Sequence, residues 1–326
     1  MTRNILFISK SDGSASTRYR ALQFFPQLTA AGYLAKHATA AGSPAAYLHV
    51  LLQARKADVV VVLRKTFPTP YLWLLRRLAK RLVFDFDDAI FCNSDGSASA
   101  TRMRRFAAMA TLCDHILAGN QYLADKATGF NRAVTVSPTC IDNTRYVEAF
   151  SRPPDHLDLV WIGSRSTRKY LMDALPALRL ASKRVSNLRL KIIADFDLPE
   201  AGLPVLAVPW NAATEARELG SAHIGIAPMR NNDWTRGKCA LKVLQYMAAG
   251  LPVVSSNAGA NAEIVIDGET GFLVGDDHSW ADRIAMLAGN PEMRDRMGLA
   301  GRRRVMAGYS LEPVFSRMLS VFKALS

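Results

Sequence analysis

Short apolar, β-branched runs return along this chain with longer helical stretches between them, and that alternation constrains the fold more than any other feature. Candidate strands are Ile5–Ser9, Val59–Leu63, Leu82–Phe86, His115–Ala118, Val134–Val136 and Leu159–Ile162. In the second half they are Leu190–Ala194, Val205–Val208, Ile224–Ala227, Pro252–Ser255 and Gly271–Val274. The stretches between them carry apolar residues at helical spacing, as in Ala174, Leu175, Leu178 and Ala181. Strand and helix in alternation predict an α/β chain of parallel sheets joined by right-handed crossovers. These strands are too many for one compact open sheet, and 326 residues at roughly 150 per domain suit two domains. The polar, proline-bearing stretch Phe150 to Asp158 reads as the linker, giving domains at 1–150 and 158–310. The alternative is a closed eight-fold barrel, which would need no mid-chain linker.

Composition narrows the class. With 49% apolar and 21% charged residues the chain is neither disordered nor collagen-like nor a coiled coil. The longest uncharged apolar-rich run, Val243 to Val254, is too short to span a membrane, which takes about 20 residues. The opening MTRNILFISK reads as a first strand and not as a signal peptide. Cys92, Cys113, Cys140 and Cys239 are scattered, which suggests neither a disulfide framework nor a zinc site and makes the cytoplasm the natural compartment. The net charge is +13, and residues 1–150 hold +9 of it, with clusters at Arg76, Arg77, Lys80, Arg81 and at Arg102, Arg104, Arg105. Such clusters suit an anionic membrane, a phosphorylated acceptor or nucleic acid, or are simply solvated helix faces. No basic stretch is interleaved with aromatics and no helix-turn-helix pattern occurs, so nucleic acid is not an expected partner.

Ligands of open sheets sit beyond the carboxyl ends of strands, so the loops there carry the chemistry. After the first strand, Gly13, Ser14, Ala15 and Ser16 open a helix where exposed amides favour an anion, with Arg18 and Arg20 within reach. The loop has neither dinucleotide-binding nor P-loop spacing. The run DFDDAIF places Asp85, Asp87 and Asp88 at one strand end. Three readings compete for it: acid, base or hydroxyl-binding work on a polar acceptor, an Asp-x-Asp metal clamp from Asp85 and Asp87, or a helix cap. In the second half, VWIGSRSTRKYLMDAL repeats the pattern of strand, glycine and helix, with Arg165, Arg168 and Lys169 near the helix start. Further on, Lys238 beside Gly237 stands at the apparent start of a helix that continues through Lys242, Gln245 and Tyr246 and stops at Ala248–Ala249–Gly250 before Pro252.

The run GKCALKVLQYMAAGLPVV, followed by NAGANAEIV and DGETGFLV, resembles the nucleotide-sugar-binding half of the glycosyltransferase family 4 enzymes, which have the GT-B fold. GSASTRYRAL, DFDDAIF, CDHILAGNQYLAD and SPTCIDNTRY stand in the expected order in the first half. The resemblance implies two Rossmann-like domains facing across a cleft, with the donor on the second domain, the acceptor on the basic first domain, and a last helix, 311–326, packing back on the first. It implies transfer of a sugar from a nucleotide-sugar donor, with retention, to a glycan, a lipid-linked or another polar acceptor, with no metal or other cofactor. Donor-binding positions are then Gly13, Ser14, Arg18, Gly163, Arg165, Lys169, Lys238, Lys242, Gln245, Gly259 and Glu263.

The departures from the family pattern matter. Gly237 and Gln245 stand where the family often has a pair of glutamates, so Gln245 can only hydrogen-bond a ribose hydroxyl and Lys238 is the expected substitute, aimed at phosphate. Ser164 follows Gly163, which moves the phosphate arginine to Arg165, while Lys169 keeps the spacing of its partner. Gly259 matches the first glycine of the family's pair, Ala260 replaces the second, and Glu263 keeps its place. Asp87 or Asp88 fills the loop where the family often has a histidine, so the catalytic role passes to them by position. A sugar-nucleotide epimerase of the same fold and a catalytically inactive, nucleotide-sugar-binding homologue are the alternatives. The segment TPYLWLLRRLAKRLV, with Trp73 beside four basic residues, adds the expectation of reversible docking to an anionic membrane at its inner face, carried by the charges while the apolar side faces the core.

Overall fold

The structure is a computed structural model and describes residues 3–146 and 151–325. It divides into two compact units, one of Met1–Cys140, Asn232–Cys239 and Leu311–Ser326 and one of Ile141–Asn231 and Ala240–Ser310. Residues 141–146 and 151–157, which the sequence reading gave to the first domain and the linker, thus fall in the second unit. Phe150, the expected first residue of the linker, lies outside the described residues.

The strands of the first unit are β1 (Arg3–Ser9), β2 (Tyr33–Thr39), β3 (Val59–Leu63), β4 (Leu82–Phe86), β5 (His115–Ala118) and β6 (Val134–Val136). They form one parallel sheet in the order β2-β1-β3-β4-β5-β6. The helices are α1 (Ala15–Arg20), α2 (Phe25–Ala30), α3 (Pro44–Ala54), α4 (Thr69–Leu78), α5 (Ala100–Leu112) and α6 (Gln121–Thr128). Central strands such as β3, VVVVL, are buried at every position because helices cover both faces. On one face Val50, Leu72, Leu75, Phe106, Met109 and Leu123 of α3 to α6 pack together. On the other, Leu28 of α2 and Phe24 before it meet the carboxyl-terminal helix, whose Phe322 packs edge-on to Phe7 of β1 with ring centres 6.4 Å apart. The sequence reading missed β2. Its burial is intermittent, with Leu34 and Lys36 among its residues, because it forms the sheet edge and lacks an unbroken apolar run.

The second unit has β7 (Leu157–Ile162), β8 (Leu188–Ala194), β9 (Val205–Pro209), β10 (Ile224–Ala227), β11 (Val253–Ser256) and β12 (Gly271–Val274). These run parallel in the order β12-β11-β10-β7-β8-β9. Its helices are α7 (Arg168–Arg184) and α8 (Glu215–Gly220), then, after the short α9 (Asp233–Arg236) that belongs to the first unit, α10 (Leu241–Ala248), α11 (Gly259–Ile264), α12 (Asp277–Ala288) and α13 (Pro291–Gly308). The last helix, α14 (Leu311–Ala324), returns to the first unit. Strand order reverses between β1 and β3 in one sheet and between β7 and β10 in the other, and open α/β sheets bind their ligands beyond the carboxyl ends of strands at such reversals. The closed barrel is excluded, since each sheet is open. No helix among the described residues is long and apolar enough to cross a membrane.

Candidate functional site

At the carboxyl end of the first sheet the loops after β1, β3 and β4 converge. Ser14 caps α1, its Oγ accepting from the Thr17 amide at 3.1 Å, and Gly13 beside it is exposed. The loop is held from below. Thr17 Oγ1 donates to Ser9 Oγ at 2.9 Å, and Ser9 Oγ hydrogen-bonds His37 Nε2 at 2.8 Å. Arg18 is half-buried with its guanidinium 4.8 Å from the Tyr19 ring centre. Arg20, expected near an anion, is instead buried, donating to both Asp85 oxygens at 2.8 and 2.7 Å and to the Ser137 carbonyl at 2.6 Å. That pair engages both oxygens of Asp85, one half of the Asp-x-Asp pattern.

The two candidate catalytic carboxylates differ sharply. Asp88 is buried and pinned between Arg64 Nη2 and Lys238 Nζ, the latter at 2.6 Å. Asp87 accepts from Ser16 Oγ at 2.9 Å through Oδ2, while its buried Oδ1 accepts no hydrogen bond among the described residues and lies 3.8 Å from Arg64 Nε. Both acids are therefore held by Arg64, Asp88 the more deeply buried and also paired with Lys238. Arg64 went unnoticed in the sequence. It follows β3 directly, its backbone sits at φ 48°, a region costly for a residue with a Cβ, and its Nη1 donates to Ser16 Oγ at 2.7 Å. Its place just beyond a strand end at the switch point was the available signal.

Lys238 corrects an expectation. Placed by the sequence on the second domain, it belongs to the first unit, because the segment Asn232–Cys239 packs there. A Cβ on Gly237 would lie 2.5 Å from the Ala89 nitrogen, so only glycine permits this approach. Asn120 Nδ2 donates to the carbonyls of Arg236 and Lys238 at 2.9 and 3.0 Å, and the Lys238 ammonium stands 4.4 Å from the Trp234 ring centre. Burial, with Arg64 nearby, pushes the Lys238 ammonium down to about 8.

In the second unit Gly163 ends β7 against Trp161, where an added Cβ would lie 2.2 Å from the indole Cη2. Trp161 is fully buried and its Nε1 has no hydrogen-bond partner among the described residues. Lys242 of α10 lies 4.0 Å above the Trp161 ring and 3.4 Å from Thr167 Oγ1. Arg165 is exposed, 3.6 Å from Asp195, and Lys169 is exposed one turn further, its ammonium 5.2 Å from the Tyr170 ring centre. Arg165, Lys169 and Lys242 thus share the β7–α7 edge. Gln245 is buried, and the Tyr246 hydroxyl beside it accepts from the Ile162 amide at 3.0 Å. Gly259 opens α11 at φ 50°, which favours glycine, and Glu263 is exposed with its carbonyl accepting from Arg304 at 2.9 Å. No cluster of metal-ligating side chains occurs among the described residues.

Two parallel six-stranded α/β units define the GT-B class of architecture. Residues 157–290 match the family model described as glycosyl transferases group 1. Across 99% of both chains the fold is shared with sucrose-phosphate synthase of Thermosynechococcus elongatus, at a TM-score of 0.76 and 16% identity. It is likewise shared with HepE of Anabaena, solved in complex with UDP and glucose, at a TM-score of 0.72 and 14% identity over 99% of this chain and 100% of that one. Among curated proteins, phosphatidyl-myo-inositol mannosyltransferase of Mycobacterium leprae is 31% identical over 116 residues, 35% of this chain and 30% of that protein. The matches reach no more than about half the length of the first curated relatives.

Proposed function

We propose that the protein is a glycosyltransferase that takes a sugar from a nucleotide-sugar donor to a glycan or lipid-linked acceptor, with retention at the anomeric carbon and without a metal. The observation that carries this reading is the family match over 157–290, which spans β7 to the end of α12 and so covers the sheet of the second unit. The Anabaena neighbour, described with UDP and glucose, supports a nucleoside-diphosphate donor. Arg165, Lys169 and Lys242 gather positive charge at the β7–α7 edge, where a diphosphate gains charge-assisted hydrogen bonds. As the acceptor oxygen bonds to the anomeric carbon, the bond from that carbon to the diphosphate breaks and the electron pair leaves with the phosphate. The three cations stabilise that developing charge. Asp87, less deeply buried than Asp88, is the carboxylate assigned to take the hydroxyl proton or to hold the hydroxyl. The acceptor is presented at an anionic membrane surface, to which the strongly basic first unit is attracted.

The test is calorimetric titration with UDP, GDP and ADP, followed by product analysis with the matching sugar nucleotides in the presence and absence of acceptor. One nucleoside diphosphate should bind, and Lys242→Ala should weaken it by about 2 kcal/mol, the worth of a charge-assisted hydrogen bond. Sugar conversion without any acceptor would replace transfer by epimerisation. Failure of all three nucleotides to bind would refute the donor assignment.

A further inference from the structure

We propose that the outer face of α3, α4 and α5 is the surface by which this protein docks on an anionic lipid bilayer, an inference that rests on the reading of a membrane-presented acceptor and assigns it to particular residues. The three helices lie side by side on one face of the first sheet, α3 against α4 and α4 against α5. Tyr71 of α4 ties the first pair, its hydroxyl donating to the Tyr47 carbonyl at 3.0 Å.

None of the three contains an acidic residue. From Gly13 to Phe84 the chain has 11 Lys and Arg against one acid, Asp58, and that acid is held by Lys80 at 2.7 Å. The polybasic cluster picked out in the sequence is largely spent within the unit. Arg76 is held by Asp114 at 3.2 Å, and Arg81 donates to the Leu325 carbonyl at 2.8 Å. The charge that faces outward comes from other positions: Arg55 and Lys56 at the end of α3, Arg77 on α4, and Arg102, Arg104 and Arg105 on α5, all exposed.

Charge alone would suit any polyanion. The apolar side chains among those charges decide in favour of lipid. Leu48 and Leu52, one turn apart on α3, are 58% and 55% exposed, and Trp73 and Leu74 on α4 are 59% and 40% exposed. A soluble face does not gain from large apolar groups in water, whereas a bilayer interface takes leucine into the acyl boundary and tryptophan at headgroup level. Arg77 completes the arrangement, its guanidinium 5.7 Å from the Trp73 ring centre, where it reaches phosphate while the indole enters the interface. The sequence reading left only charges to meet the membrane. The structure adds an insertion component beside them.

The experiment is sedimentation of the full chain with vesicles of equal parts phosphatidylglycerol and phosphatidylcholine, against pure phosphatidylcholine, at low and physiological salt. Wild-type protein should partition onto the anionic vesicles only. The triple variant Arg102→Ala, Arg104→Ala, Arg105→Ala should lower partitioning about fivefold for each charge that lies at the surface. The variant Leu48→Ser, Leu52→Ser should lower it about tenfold, and this loss should persist at physiological salt, where screening weakens the charges. Brominated lipid should quench the tryptophan fluorescence of wild-type protein and quench a Trp73→Phe variant much less. The control is Arg296→Ala with Arg303→Ala, two exposed charges on the second unit, which should bind as wild type. Wild-type protein left in the supernatant under every condition would overturn both this surface and the membrane-presented acceptor, while leaving donor binding to its own titration. Wild-type binding with no loss in the leucine variant, or an equal loss in the control, would overturn this surface alone. Binding to dextran sulfate that competes fully with vesicles and ignores the leucine variant would mean a soluble polyanion is the partner.

Discussion

Gly237 offers a severe test of how the segment Asn232–Cys239 is seated. The backbone there, at φ −76°, is open to any residue, so alanine meets no conformational objection. The objection is steric: the new Cβ would lie 2.5 Å from the Ala89 nitrogen, 2.6 Å from its Cβ and 2.9 Å from its Cα. Two of those three atoms are backbone, so no rotamer change relieves the clash and the segment must move. Overpacking of this kind costs about 1–3 kcal/mol. Displacement also stretches the Asn120 hydrogen bonds to the carbonyls of Arg236 and Lys238, at about 1 kcal/mol for each one lost. Against this, alanine gains about 0.4–1 kcal/mol by restricting the unfolded chain. The net expectation for Gly237→Ala is a loss of about 2 kcal/mol. Urea denaturation should show it as a lower midpoint with an unchanged slope. Gly13→Ala is the matched control, since no atom lies within 4 Å of its added Cβ, and it should be as stable as wild type or up to about 1 kcal/mol more stable. If the two variants unfold at the same urea concentration, the packing of Gly237 on Ala89 is wrong.

Three further outcomes can be checked. Arg20→Met should destabilise by about 3–5 kcal/mol because it strands the buried Asp85 carboxylate, and adding Asp85→Leu should restore most of the loss in denaturant melts. His223 is buried with its Nδ1 accepting from the Asp158 amide at 3.0 Å, and burial holds its imidazole down at about 4. Because its folded value lies below the unfolded 6.5, stability should fall by about 3 kcal/mol as pH drops from 6.5 to 4, and His223→Asn should flatten that slope in melts run across the range. The Lys238 side chain should titrate near 8 by carbon-detected NMR, below the ordinary lysine value of 10.5, because burial and the Arg64 charge disfavour its ammonium form, and Arg64→Ala should raise that midpoint.

The core of the fold was legible because the central strands announce themselves. VVVVL and LVFDF are buried at every position, and only a sheet covered on both faces needs such runs. The edge strand β2 was not, since YLAKHAT places a lysine and a histidine in a run that neighbours on one side only must support. At the candidate site, DFDDAIF pointed to the right loop but could not say that Arg64 would hold both aspartates and Lys238 would pair with Asp88. That arrangement depends on contacts across 24 and 150 positions of the sequence. Lys238 was misplaced for a related reason. Sequence adjacency put it at the head of α10, but the chain turns at Ala240, φ 49°, so the residues before that turn belong to one unit and the helix after it to the other.

The first unit is assembled from three separate stretches of chain, the middle one only eight residues long and lodged inside the coding span of the second unit. Heredity therefore cannot trade these halves as cassettes. A single crossover that brought in a foreign second half would also import a foreign version of Asn232–Cys239 and of α14, and deliver both to a first unit shaped for others. The incoming segment would need glycine where Ala89 leaves no room and a cation where Asp88 waits for one. Drift at Ala89, Asp88 or Asn120 is accordingly tied to drift some 120–150 positions downstream, and the two units are obliged to diversify together.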